Sequence, residues 1–374
     1  MANNFCRFLS NGYSVRTDGQ ELWYRPCCWF TQEINFADPD FVLKQKNISE
    51  IAGWTDPCNR CQKIEASGMY GSQSPRLRSF NAVPDADVPN GVPVELELSI
   101  DLTCNAACLS CGPWSSTTWI KQYIKYDIKS ADDTPDLKPS DRWLNEIKKL
   151  GPLTHVRSIT FLGGEPFKSP VPVKFLKLVN STVGLDHVRV HFQSNASIVP
   201  SLELIPLLRA CQRVSYGLSI DGVGDRFNYL RYPLHWNKVV KTLNYVKSLG
   251  LDNLMFSLVA TTNPLNVYYY REIETWAQDF FKDHVPTDNP DYCLIRPNRC
   301  SGTLDLALIP SALRAKTIEE YGADHPVSKM LDGLTSDHNV DPTQMLQYLD
   351  RWDLLRKKNW RETFPEVAEY FQSN

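Results

Sequence analysis

The chain has 374 residues, 42% of them hydrophobic and 22% charged, the composition of a globular protein with room for a large core. A net charge of −3 excludes the basic field of a general nucleic-acid coat. No stretch approaches the roughly 18 consecutive apolar residues that span a membrane, and Met1–Cys6 has no signal-peptide pattern, so no membrane association is expected and the expected compartment is the cytoplasm.

Residues 1–80 are rich in cysteine and aromatics and show little helical periodicity. Leu22–Arg25 reads as a strand leading into Cys27-Cys28, and Cys58-Asn59-Arg60-Cys61 is a C-x2-C knuckle. Residues 81–93, with their Pro, Asp and Asn, have the chemistry of a linker. Beyond it strands and helices alternate. Strands are expected at 94–101, 156–162, 188–192, 214–220, 254–260 and 292–295. Helices are expected at about 115–127, 141–150, 171–182, 201–211, 237–249 and 267–281. Alternation of this kind builds a parallel sheet, and six units suit a partial (β/α)6 TIM-like barrel. The polar run 130–140 reads as a surface insertion. From residue 301 the chain continues as a helical extension, with Tyr348–Arg356 amphipathic.

Eleven cysteines in an intracellular chain point to metal or catalysis rather than to disulfides, and eight of them precede residue 112, so the chemistry is concentrated there. Cys104, Cys108 and Cys111 have the spacing C-x3-C-x2-C directly after the first expected barrel strand. Three thiolates can hold three irons of a [4Fe–4S] cube and leave the fourth open to a ligand. Structural zinc usually takes two ligand pairs, and no fourth Cys or His lies close by. Cys211, Cys293 and Cys300 are scattered later and read as ordinary thiols.

The second barrel strand runs into Gly163-Gly164-Glu165-Pro166, where two glycines allow close backbone approach and Glu165 supplies a carboxylate. Later strands end in Ser194-Asn195 and in Ser219-Ile220-Asp221. These residues suit a ribose or a carboxylate, and Ser194, Asn195 and Asp221 equally suit helix caps. The run Arg226–Trp236 mixes aromatic and cationic groups at the same edge, either as a cover over a cofactor or as a loop packed on the next helix.

C-x3-C-x2-C after one strand and Gly-Gly-Glu-Pro after the next resemble the radical S-adenosylmethionine (SAM) superfamily over residues 94–300. The resemblance implies a catalytic [4Fe–4S] cluster on Cys104, Cys108 and Cys111, with SAM on its open iron. Reductive cleavage of SAM would then yield a radical that abstracts a substrate hydrogen. It also implies that Gly163, Gly164 and Glu165 hold the methionine amino group, that Ser194 and Asn195 lie near the ribose, and that Ser219 and Asp221 lie near cofactor or substrate. Arg231 is a candidate for the methionine carboxylate. Ser110 departs from the aromatic residue common before the third cysteine, which leaves Leu109 or Trp114 to meet the adenine.

The amino-terminal cysteines are similar to those of twitch and SPASM auxiliary-cluster domains, in an unusual position before the barrel. The likeness implies a second [4Fe–4S] cluster on Cys6, Cys27, Cys58 and Cys61, with Cys28 as the alternative to Cys27 and zinc as the rival metal. Arg76 and Arg78 are either surface residues or contacts for an anionic substrate. A reducing partner such as flavodoxin or ferredoxin is implied, and a peptide or protein substrate is preferred to a nucleotide or other small molecule. A zinc-binding regulatory protein on a barrel scaffold is the non-enzymatic alternative.

Overall fold

The computed structural model describes residues 6–17, 21–38, 40, 58–67, 74, 88–89, 91–129, 142–284, 294–334 and 341–371. Arg76, Arg78, Cys293 and the run 130–140 lie outside them. The frame is a nine-stranded sheet of order β3-β2-β1-β4-β5-β6-β7-β8-β9. Its strands are β1 (Gly12–Thr17), β2 (Leu22–Arg25), β3 (Ile34–Asn35), β4 (Glu95–Ser99), β5 (Ser158–Phe161), β6 (Arg189–Ser194), β7 (Arg213–Ser219), β8 (Leu254–Thr262) and β9 (Ile295–Arg299). The pairs from β4 to β9 are all parallel. These are the six strands expected from the alternating pattern, although β9 begins three residues later than expected.

The helices are α1 (Arg7–Asn11), α2 (Asn59–Ser67), α3 (Thr117–Lys125), α4 (Arg142–Lys148), α5 (Val171–Val183), α6 (Leu204–Ala210), α7 (Asp225–Leu230), α8 (Trp236–Ser248), α9 (Tyr270–Phe281), α10 (Ser311–Tyr321), α11 (Pro326–Asp332), α12 (Thr343–Arg356), α13 (Trp360–Thr363) and α14 (Pro365–Phe371). Ser116 starts α3, its hydroxyl accepting from the N–H groups of Thr118 and Trp119. Pro172 sits in the first turn of α5, and Gly184, at φ 80°, ends it.

β1 pairs in parallel with β4, Ser14 opposite Glu97, while β1–β2 and β2–β3 are antiparallel. Strands β1 to β3, within residues 12–35, therefore extend the same sheet as β4. Gly12–Thr17 carried no strong periodic signal because four of its six residues are buried in succession. The run Arg226–Trp236, read either as a cover over a cofactor or as a loop packed on the next helix, begins within helix α7 and ends at the first residue of α8.

Strands β4 to β8 alternate. One set, including Leu96, Leu98, Ile159, Phe161, Val190, Phe192, Tyr216, Leu218, Phe256 and Leu258, is buried under the helices. Phe161 and Phe192 stack at 5.0 Å, and Phe167 continues the stack at 4.9 Å from Phe192. The opposite set is half-buried and mainly polar: Glu97, Thr160, His191, Gln193, Ser215, Ser219 and Ser257. A parallel sheet packed on both faces reads as continuous apolar runs. This one keeps a polar inner face, and the strands' C-terminal ends deliver their loops to one edge of it. No helix among the described residues is long and apolar enough to cross a membrane.

Candidate functional site

The cysteine loop leaves β4 and is fixed largely through its carbonyls. Cys104 O accepts from Thr117 Oγ1 at 3.1 Å and Thr118 Oγ1 at 2.7 Å. Ala106 O accepts from Ser116 Oγ, Ala107 O from Arg356 Nη2 at 3.0 Å, Cys108 O from Trp119 Nε1 at 2.9 Å and Leu109 O from Tyr348 OH at 3.1 Å. The N–H groups of Ala107 and Leu109 donate to the carbonyls of Tyr232 and Leu230 at 2.6 and 2.9 Å. Buried backbone groups must be paired, and here the partners come from α3, from the end of α7 and from α12.

Cys104 and Cys108 are buried and Cys111 is half-buried. The Cys111 thiol lies 2.8 Å from Ser115 Oγ, and the Ala106 N–H donates to Cys104 Sγ at 3.4 Å. Arg231 Nη1 donates to Cys108 Sγ at 3.7 Å. The three thiols act electrostatically on one another. Burial pushes the Cys104 thiol up to about 11, with the Ala106 N–H working against it. Burial also raises Cys108, and Arg231 is the main opposing influence.

Among the described residues no three His, Cys, Asp or Glu side chains are placed to hold a single metal ion. A [4Fe–4S] cube asks for something different, since each thiolate takes its own iron. Three soft donors on one fixed loop, with a buried guanidinium against the middle sulfur, fit such a group.

The Gly163-Gly164-Glu165 turn packs on this loop through its backbone. Gly164 N–H donates to Asp101 O and Glu165 N–H to Thr103 O, both at 2.9 Å. A Cβ on Gly163, where φ is +109°, would lie 2.4 Å from Asp101 O, and one on Gly164 would lie 2.4 Å from Thr103 O. The glycines let two strand-end loops touch.

Glu165 is buried and held by three donors: Ser194 Oγ at 2.8 Å, the Asn195 N–H at 2.8 Å and the Phe167 N–H at 3.2 Å. Burial pushes its carboxyl up to about 7 against those hydrogen bonds. A carboxylate has about four lone-pair sites, so one more donor can be accepted. Asn195 Nδ2 donates to Asn105 Oδ1 at 2.9 Å, and Asn105 Nδ2 donates to Ser197 Oγ at 2.8 Å. Glu165, Ser194 and Asn195 thus form one network with the cysteine loop.

Asp221 accepts from Arg231 Nη2 at 2.8 Å and from the Thr261 N–H at 2.7 Å, and both charged side chains are buried. Its observed role is to hold Arg231 against Cys108. Ser219 Oγ accepts from Gln193 Nε2 at 2.7 Å on the polar inner face, beside the His191–Ser215 pair at 3.0 Å. A Cβ on Gly217 would meet both Gln193 and His191 at 2.7 Å, so this glycine makes room for the two pairs. Leu109 is buried in the core, whereas Trp114 is 72% exposed.

Cys6 is acted on by Cys58 and Cys61, and Cys27 by Cys28 first and then by Cys6 and Cys61. Burial, then the charge of Glu97 and a hydrogen bond to it, pushes Cys28 up to about 12, with Arg16 and Arg25 opposing. Arg60 stacks 4.2 Å over the Trp29 ring, which ties the helix carrying Cys61 to the Cys27-Cys28 turn.

Sequence reasoning missed Asn105, Ser116, Thr117, Thr118 and Trp119, and in the carboxyl-terminal helices Tyr348 and Arg356. Asn105 lies inside the cysteine spacing and could have been found there. Tyr348 and Arg356 had no signal beyond amphipathicity.

Fold and site define an α/β protein with a parallel sheet and a cysteine loop at the sheet's C-terminal edge. Residues 99–275 match the family model of the Radical SAM superfamily, whose members are enzymes. The chain is also similar to solved structures. Native anSMEcpe with bound AdoMet is 16% identical, over 71% of this chain and 62% of that one, with a TM-score of 0.38. Streptococcus suis SuiB bound to precursor peptide SuiA is 14% identical, over 94% and 73%, with a TM-score of 0.36. Coproporphyrinogen III oxidase (HemN) from Escherichia coli is 14% identical, over 71% and 52%, with a TM-score of 0.34. No curated protein matches the chain.

Proposed function

We propose that the chain is a radical SAM enzyme with a [4Fe–4S] cluster on Cys104, Cys108 and Cys111. The observation that carries this reading is the fixed three-thiol loop within the matched domain, packed against the Gly163–Glu165 turn. When bound, the cluster and SAM supply reductive sulfonium cleavage and a radical able to remove an unactivated substrate hydrogen. Glu165, already oriented by Ser194 and Asn195, takes the methionine ammonium with its remaining acceptor site. Gly163 and Gly164 keep that carboxylate against the cysteine loop. Arg231 steadies the anionic sulfur of Cys108 while Asp221 sets its angle.

The substrate enters the polar inner face, where Gln193–Ser219 and His191–Ser215 offer hydrogen bonds to neutral polar groups. Amides of a peptide or protein suit that lining, in keeping with the twitch-like character of the amino-terminal cysteines. Cys6, Cys27, Cys58 and Cys61 hold a second [4Fe–4S] cluster, and Cys28 instead belongs to the Glu97 network. A flavodoxin- or ferredoxin-type donor provides the electron.

The test is anaerobic reconstitution, an iron and sulfide count, and a 5′-deoxyadenosine assay. Wild-type protein is expected to form 5′-deoxyadenosine under reduction, and Cys104→Ala, Cys108→Ala and Cys111→Ala are expected to form none. Zinc without iron, or product in any of the three variants, would overturn the assignment.

A further inference from the structure

Among the described residues, two buried arginines with different partners lie around the cysteine loop. Arg231 is compensated by Asp221. Arg356, at the end of α12, is also buried, and among the described residues it forms no ion pair. Its Nη2 donates to Ala107 O at 3.0 Å and to Gln122 Oε1 at 2.9 Å, and its Nε donates to Gln122 Oε1 at 3.2 Å. Its Nη1 is buried with no hydrogen-bond partner. Aromatic rings surround the guanidinium: Trp119 at 4.7 Å, Tyr232 at 4.6 Å and Trp352 at 4.6 Å.

The carboxylates of the same helix are committed elsewhere. Asp353 accepts from Tyr229 OH and from the Trp360 N–H, and Asp350 from Trp360 Nε1 and Arg361. A buried cation is expensive unless an opposite charge meets it, and aromatic faces offset only part of that cost. The guanidinium is bonded directly to the loop between Cys104 and Cys108, where the chain itself offers neutral carbonyls. A [4Fe–4S] core with three thiolates carries net negative charge, and reduction adds one more.

We propose that Arg356 is the counter-cation of the catalytic cluster, brought by the carboxyl-terminal helix to raise the cluster's reduction potential. The inference rests on the cluster reading above. Arg356 is a positioning residue: it acts through the cysteine loop and touches no substrate. Tyr348, which donates to Leu109 O from the same helix, fixes the loop without adding charge.

The experiment is an EPR-monitored redox titration of the full chain, reconstituted anaerobically, as wild type, Arg356→Gln and Arg356→Lys. The signal followed is the one that changes when SAM is added, which distinguishes the open-iron cluster from a fully ligated one. Arg356→Gln is expected to lower the ratio of reduced to oxidised cluster about tenfold at a fixed poise, a shift of about 59 mV to more negative potential for a one-electron couple. Arg356→Lys, which keeps the charge, is expected to restore most of that ratio. An unchanged potential in iron-loaded Arg356→Gln overturns the proposal, as does an equal shift in both variants. Loss of iron uptake in Arg356→Gln alone supports it. Loss in both, with the metal-free circular dichroism intact, overturns it. If the wild-type chain takes up no iron, the cluster reading itself fails.

Discussion

Replacing Gly164 with alanine tests whether the glycine pair serves loop-to-loop contact. The new Cβ would lie 2.4 Å from Thr103 O, 2.6 Å from Thr103 C and 2.7 Å from Leu102 C. These are backbone atoms and cannot rotate aside as a side-chain tip can. Relief requires the 101–103 segment or the Gly164–Glu165 segment to move. Movement lengthens the bonds from Gly164 N–H to Asp101 O and from Glu165 N–H to Thr103 O. Overpacking costs about 1–3 kcal/mol and each of the two weakened hydrogen bonds about 1, so Gly164→Ala should destabilise the metal-free chain by about 3–5 kcal/mol.

Gly250→Ala is the control. Gly250 has φ +56° and no atom within 4 Å of the place an added methyl group would take, so only the left-handed backbone penalty applies, about 1–2 kcal/mol. Urea midpoints at one pH and one protein concentration give both values. Because Thr103 precedes Cys104, Gly164→Ala should also lower iron retention after reconstitution, and Gly250→Ala should not. A Gly164→Ala chain no less stable than Gly250→Ala, with wild-type iron, would refute the idea that these glycines exist for loop contact.

Cys27→Ala should lower the iron count by about one cluster's worth and spare uncoupled SAM cleavage, whereas Cys28→Ala should leave the count unchanged. The reverse result would move the ligand assignment to Cys28. Glu165 supplies a pH test in the metal-free chain. Its folded value, pushed up to about 7, lies above the unfolded carboxylate range, so the fold binds the extra proton. The resulting stability is fully present below about pH 4.3 and is lost as pH rises through 7, an effect of up to about 3 kcal/mol. Urea midpoints of wild type should therefore fall more between pH 5 and pH 8 than those of Glu165→Gln. Equal falls in the two proteins would rule out a buried, raised carboxyl.

What the sequence made legible follows from the range of the interactions involved. The strands β4 to β8 were readable because alternation along a strand is a local pattern and each strand meets a helix within the next residues, whereas β9 does not alternate and begins later than expected. The cysteine spacing and the Gly-Gly-Glu turn were readable for the same reason, since each is a short run with its own chemistry. β1 was not, because its partner β4 lies some eighty residues on, and burial on both faces removes alternation. Asp221 shows a subtler limit. Its position at a strand end was legible, but its role depends on Arg231, and no spacing rule shows that a carboxylate will be consumed by an internal ion pair.

The carboxyl-terminal helices extend this argument to the site as a whole. Their periodicity says only that one face is buried. What that face covers is the cysteine loop itself, through Arg356 on Ala107 O and Tyr348 on Leu109 O, contacts spanning more than two hundred residues. The loop's own sequence contains no lysine or arginine between Cys104 and Cys111. Among the described residues, the buried cations that meet the loop come from elsewhere: Arg231, just past α7, on Cys108 Sγ and Arg356, at the end of α12, on Ala107 O. A motif can state which atoms bind a cluster, while the charge that sets how easily it accepts an electron is assembled from distant parts of the chain. On this reasoning, truncation after residue 341 should expose the Ala107 and Leu109 carbonyls and remove a buried cation at once, and the cysteine spacing alone would then be insufficient to hold iron.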